Sequence, residues 1–161
     1  MSKDIAIAWD SDLMEGDFVF DSEIQDLESD EGLETAVIIS LFTDRRAKDD
    51  DILPDPDNPD LRGWWGDLVS GIEGDQVGSR LWLLNREKTE ENVLTRAKQY
   101  IEEALAWLLE ENVAAKIVVN AERQGIVGTD RLALGVEIHK EDGNKKTFNF
   151  ELQWDAQGLK V

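Results

Sequence analysis

The stretch from Glu90 to Trp154 changes its hydrophobic period partway along, and that change limits the fold more than any other feature. Up to Glu111, the residues Val93, Leu94, Ala97, Ile101, Ala104, Leu105, Leu108 and Leu109 recur at three-and-four spacing, while Glu91, Lys98, Glu102, Glu103 and Glu110 fall off the stripe. The spacing predicts one amphipathic helix over 90–111, with Thr89 as N-cap and Glu90 and Glu91 at the positive end of its dipole. Beyond it the period becomes two. Ala115, Ile117, Val119 and Ala121 share one strand face, as do Leu132, Leu134, Val136 and Ile138, and then Phe148, Phe150, Leu152 and Trp154. The turns GIVGTD and EDGNKK separate these strands, which makes an antiparallel meander the natural pairing. A striped helix and three one-sided strands need each other as cover. The expected fold class is α+β, in two layers, with helices packed on one face of an antiparallel sheet that ends in a three-stranded meander.

The front of the chain is less regular. Ile5, Ile7 and Trp9 alternate with Asp4, Ala6 and Ala8, which predicts a half-buried strand, and a short strand Phe18-Val19-Phe20 follows Gly16. From Leu33 the residues Ala36, Val37, Ser40 and Leu41 recur at helical spacing, with Asp30 and Glu31 supplying negative charge ahead of the first turn. This helix is expected to run to near Asp49, where a Pro/Asp-rich loop over 49–61 begins. Then comes RGWWGD, Arg62 to Asp67, with two tryptophans between glycines, and Ser79 is placed to cap a short helix containing Leu81 to Leu84. A chain of 161 residues reads as a single domain, 1–161, able to bury roughly 68–70% of its unfolded surface.

Charge excludes several functions. The chain carries 17 Lys plus Arg against 36 Asp plus Glu, a net −19, and no basic patch for nucleic acid or anionic lipid. The acidity is uneven: residues 1–60 hold 19 acidic and 4 basic side chains, whereas 61–161 hold 17 and 13. With no cysteine there is no disulfide, thiol nucleophile or thiolate metal site. The start has no secretory pattern, and no run approaches the ~18 apolar residues of a membrane span, so a soluble, cytoplasmic acidic protein is expected. Asp49-Asp50-Asp51 and the run Asp55 to Asp60 are dense in carboxylates, but they lack the alternating ligands, the sixth-position glycine and the distant glutamate of a calcium loop. A solvated loop without metal is the expectation.

Catalytic constellations are not visible. His139, the single histidine, lies opposite the apolar face of its strand and has no converging partners. GIEGDQVG lacks the Lys and Ser/Thr of a phosphate loop. A glycosidase needs two carboxylates about 5–9.5 Å apart across a sugar, one of them raised in pKa. Glu110 and Glu111 are neighbours about 100° apart around a helix and do not face one cleft. Trp64 and Trp65 fit three roles: core anchors, a protein interface, or a platform for sugar rings. No cofactor and no catalytic residue is assigned.

The ordered blocks GLETAVIISLFTDRRAKDDDILPD, RGWWGD, GSRLWLLNREK and EEALAWLLEENVAAKI, within about Gly32 to Trp154, resemble the Mu-like phage baseplate protein family of the forty-sixth gene product type. That family is similar to the baseplate wedge and sheath-initiator proteins of T-even contractile tails. The resemblance implies a structural, non-enzymatic protein of the virion tail baseplate, made in the host cytoplasm and arranged with sixfold symmetry around the tube. Its partners would be other wedge proteins and the tube and sheath proteins, with sheath assembly started by strand addition at the C-terminal sheet. Candidate interface residues are Arg62, Trp64, Trp65 and Asp67 in the loop, Glu110 and Glu111 after the long helix, and Phe148 and Phe150 on the last strand. The wedge family has a Glu-Pro-Arg motif after its long helix; here residues 110–113 read Glu-Glu-Asn-Val, so only Glu110 or Glu111 corresponds. T-even relatives have also carried a lysozyme-like label, which keeps a peptidoglycan-degrading glycosidase as the alternative. An acidic regulator that binds a basic protein is the second alternative.

Overall fold

A computed structural model describes residues 4–21, 26–27, 29–30, 32–69, 71, 74, 76–85, 91–125, 131–155 and 158–159. In chain order its elements are β1 (Asp4–Ile5), β2 (Ile7–Asp10), β3 (Glu15–Phe18), β4 (Phe20–Asp21), β5 (Asp26–Leu27), β6 (Ser29–Asp30) and α1 (Leu33–Phe42). Two 3-10 turns follow, Trp65–Leu68 and Leu81–Leu84, then α2 (Glu91–Ala104), α3 (Trp107–Glu110), β7 (Lys116–Gln124), β8 (Arg131–His139), β9 (Lys145–Asp155) and β10 (Gly158–Leu159).

The change of period is realised as expected: α2 and the meander form the two layers of an α+β fold. The sheet has the order β10-β9-β8-β7, antiparallel throughout, with Val119 opposite Val136 and Val136 opposite Phe148. That register stacks Leu132, Leu134, Val136 and Ile138 on the inner face with Phe148, Phe150 and Leu152, all buried. The α2 stripe covers them with Val93, Ala97, Ile101 and Ala104, followed by Leu105, and burying a Leu or Ile of this kind stabilises the fold by about 1.5–3 kcal/mol. The other sheet face carries Asn120, Glu122, Gly135, Asn149 and Glu151 toward solvent. Thr89, Glu90 and the GIVGTD turn beyond Gly125 lie outside the described residues, as do Glu31 and the side chains of Asp30, Glu91 and Trp154.

The expected helix over 90–111 is not continuous. At Leu105–Ala106 the bonding tightens, with Ala106 N–H donating to Glu103 O and Leu108 N–H to Leu105 O, three residues back instead of four. Leu108 stays buried across the step, while Leu109 turns half out to solvent. The end is closed at left-handed Asn112, after which the N–H groups of Val113 and Ala114 both donate to Leu108 O.

The helix expected to reach Asp49 stops at Phe42, seven residues early. A nonlocal contact takes the chain away. Ser79 N–H donates to Thr43 O and Arg45 N–H to Ser79 O, both at 2.9 Å, forming a parallel bridge between Asp44 and Ser79. Gly78 permits it: its φ is +99°, and a Cβ there would lie 2.2 Å from Thr43 O. Ser79 also accepts a bond from Leu81 N–H and donates to Leu41 O, so it serves both α1 and the following 3-10 turn.

The two expected N-terminal strands are each broken, at Ala6 and Val19, where Val19 N–H donates to Ala6 O. β2 pairs with β3, β1 with β6 and β4 with β5. Thr35 ties β1 and β2 to α1, accepting from Ile7 N–H and donating to Ile5 O. Trp9 stacks on Phe42 with centroids 3.5 Å apart, and Phe42 meets Phe150 edge-on, which locks the N-terminal hairpin to the core.

Candidate functional site

Between α1 and the buried turn Leu81–Leu84 the chain makes a long excursion, and its base is held by charge. Arg80 reaches Asp51 at 2.7 and 2.9 Å and Glu103 at 2.6 and 3.1 Å, with its guanidinium 4.7 Å from the Tyr100 ring centre. Lys48 adds a second cation to Glu103 at 2.9 Å. Burial disfavours the charged Glu103, but the hydrogen bonds and charges of Arg80 and Lys48 outweigh it and hold the carboxyl below the usual glutamate range. Burial likewise works against Arg80, and its two carboxylate partners raise it above the ordinary arginine value. A further bond from Ala47 N–H to Leu61 O closes the excursion into a loop.

The RGWWGD segment follows. Arg62 and Gly63 both have positive φ, 51° and 110°, and turn the chain sharply. Arg62 bonds Asp44 at 2.8 Å and lies 4.5 Å above the ring of Trp82, so its side chain is committed within the molecule. Trp64 folds its ring onto Gly66, where a Cβ would lie 2.1 Å from a ring carbon; any side chain there would displace the indole. Asp67 points inward: Oδ1 accepts Val77 N–H at 3.1 Å and Oδ2 is buried. Trp65 is different. It is 72% exposed beside a half-exposed Trp64, with ring centres 5.5 Å apart, so it is not a core residue. Leu68 and Val69, which the sequence reading did not select, extend the same exposed turn at 88% and 75%. Their signal was their position directly after Asp67 in an apolar run too short for a periodicity argument.

The other candidates do not join this site. Glu110 and Glu111 are exposed at the end of α3 and make no ion pair among the described residues. Phe148 and Phe150 are buried core residues, because the β8–β9 register turns them toward the helices. β9 is flanked by β10 at Trp154–Asp155, and its Glu151 N–H donates to Ser11 Oγ. β7 has no strand on its outer side among the described residues. The hairpin bond from Lys140 N–H to Asn144 O fixes which residues of β8 face β9, and alternation then directs the N–H groups of Ile117, Val119 and Ala121 away from β8. His139 sits on the outer sheet face, 3.4 Å from Glu137. Among the described residues no group of three or more His, Asp or Glu could hold a metal ion, and no helix is long and apolar enough to cross a membrane.

Comparison with known proteins gives concordant results. The family model described as phage protein GP46 matches residues 33–145, from the start of α1 to the start of β9. The chain is 48% identical to the "Baseplate protein gp46" of Escherichia phage Mu over 153 residues, 95% of this chain and 98% of that protein. It is 34% identical to the "Mu-like prophage FluMu protein gp46" of Haemophilus influenzae over 151 residues, 94% of this chain and 97% of that one. No solved structure matches the chain. With the model matched over 33–145 and both relatives aligned along nearly their whole length, this chain belongs to the phage protein GP46 family.

Proposed function

We propose that the chain is a structural subunit of a contractile phage tail baseplate, a wedge protein that contacts other baseplate proteins and helps start sheath assembly by strand addition. One observation carries the reading: near half-identity, along almost the whole length of both chains, to a protein named for the Mu baseplate. The geometry supports it with two features left uncovered among the described residues, the exposed Trp65 turn and the outer edge of β7 at Ile117 to Ala121. A free strand edge is a template for another chain, since main-chain hydrogen bonds set register and alternate side chains set specificity. In this reading the copies take the sixfold symmetry of the tail, sit in the virion baseplate, and are present in the host cytoplasm only until assembly.

Deleting the gene should give particles whose tubes lack ordered baseplate or sheath, seen by negative-stain electron microscopy. Normal contractile tails from the deletion would overturn the reading. Ala121→Pro tests the edge separately, because it removes an outward N–H while sparing the bonds to β8. Ala121→Pro particles should keep a baseplate and lose sheath.

A further inference from the structure

We infer that Trp65, Leu68 and Val69 form one preformed anchor for a pocket on a different baseplate protein, apolar at its floor and rimmed by lysine or arginine. The inference rests on the baseplate reading and adds to it the contact residues and the chemistry of the partner. Every other member of the motif has work inside the molecule: Arg62 on Asp44 and Trp82, Trp64 on Gly66, Asp67 on Val77. The side chains of the three exposed residues touch little among the described residues, only Trp65 meeting a ring, that of Trp64. Large apolar side chains displayed together on an acidic surface mark a binding patch, and tryptophan is enriched among residues that dominate binding energy.

The anchor is rigid before it binds. Asp67 N–H donates to Trp64 O and Val69 N–H to Gly66 O, both at 3.1 Å, which sets the 3-10 turn, while Asp67 Oδ1 fastens it to Val77. A partner therefore does not bear the entropy cost of ordering a loop. Charge selects that partner. The loop leading to the anchor holds six aspartates and no cation between Asp49 and Leu61, and exposed Asp49, Asp50, Asp57 and Asp60 make no ion pair among the described residues. Arg62 is neutralised by Asp44, and Arg46 donates to the Arg62 carbonyl. A second copy of a chain at −19 would be repelled at this face, and so would an anionic lipid surface. A basic rim is attracted.

The test places a photo-crosslinking amino acid at position 65 in particles made by complementing the deletion. The expected product joins this chain to another baseplate protein, at a segment rich in Lys or Arg. In parallel, Trp65→Ser with Leu68→Ser should reduce incorporation into particles at least tenfold with an unchanged melting temperature. Asp57→Asn with Asp60→Asn should reduce it less and flatten its dependence on ionic strength. A crosslink to a second copy, no crosslink at position 65, binding of the purified chain to phosphatidylcholine vesicles, or incorporation of the double serine variant at the wild-type level would each overturn the inference. Absence of the wild-type chain from purified particles would instead overturn the baseplate reading itself.

Discussion

Two 3-10 turns of four residues, Leu81–Leu84 and Trp65–Leu68, share a local geometry and each carry a tryptophan and leucine, yet those side chains have opposite surroundings. In the first, all four side chains are buried; Trp82 donates from Nε1 to Arg45 O at 2.7 Å and lies under the Arg62 guanidinium. In the second, a glycine and an inward aspartate hold the turn, while Trp65 and Leu68 face solvent. A tryptophan and a leucine placed in a 3-10 turn are therefore not buried by that local geometry alone. What decides it is whether another part of the chain arrives as cover: α1 and α2 close over the first turn, and nothing among the described residues closes over the second.

The contrast can be broken by mutation, most severely at the covered turn. Trp82→Ala should lower stability by about 3–5 kcal/mol in urea unfolding, since it opens a cavity and orphans the Arg45 carbonyl. Arg80→Met comes next, at about 3 kcal/mol, because it leaves the largely buried Asp51 without its cation and Glu103 with Lys48 alone. It should also change the pH dependence. With Glu103 held below its ordinary 4.5, its pairing stabilises the wild type fully above that pH and is lost as pH falls through the lowered value. Melting temperatures measured from pH 7 to pH 3 should therefore fall less steeply in the variant. Gly66→Ala should cost about 1–3 kcal/mol, as the added methyl expels the Trp64 ring, with a change in tryptophan fluorescence as the readout. Smallest of all, Trp65→Ser should change stability by no more than about 0.5 kcal/mol, while its expected effect is on incorporation into particles. If Trp65→Ser proves as destabilising as Trp82→Ala, the two turns are alike and the contrast fails.

The sequence was most informative where burial repeats with a period. Ile101, Leu105 and Leu108 on one side and Leu132 to Ile138 on the other announced the two layers, because each face is covered along its length. It was least informative where single distant contacts decide. No local pattern in TDRRAK marks the end of α1 at Phe42; that stop is made by Ser79 and Gly78, more than thirty residues later. The resemblance points to the strand of Phe148 and Phe150 as a shared one, while alternation, with Leu134 and Val136 buried opposite, turns these two side chains inward. RGWWGD was visible as a motif. Which of its tryptophans is displayed depends on Gly66 lying under one ring, and that packing has no signature in spacing.

The closed excursion from Ala47 to Leu61 also makes the molecule unusually easy to mark. Its two ends are fastened to each other by Ala47 N–H to Leu61 O, and Asp51 is fastened to Arg80, so the tip near Asp57 is free of structural duty toward the core. Lengthening such a loop twofold costs only about 0.6 kcal/mol. A short peptide epitope inserted there should leave both layers intact, and comparing antibody access to it on the free chain and on whole particles reads whether the loop lies against a partner.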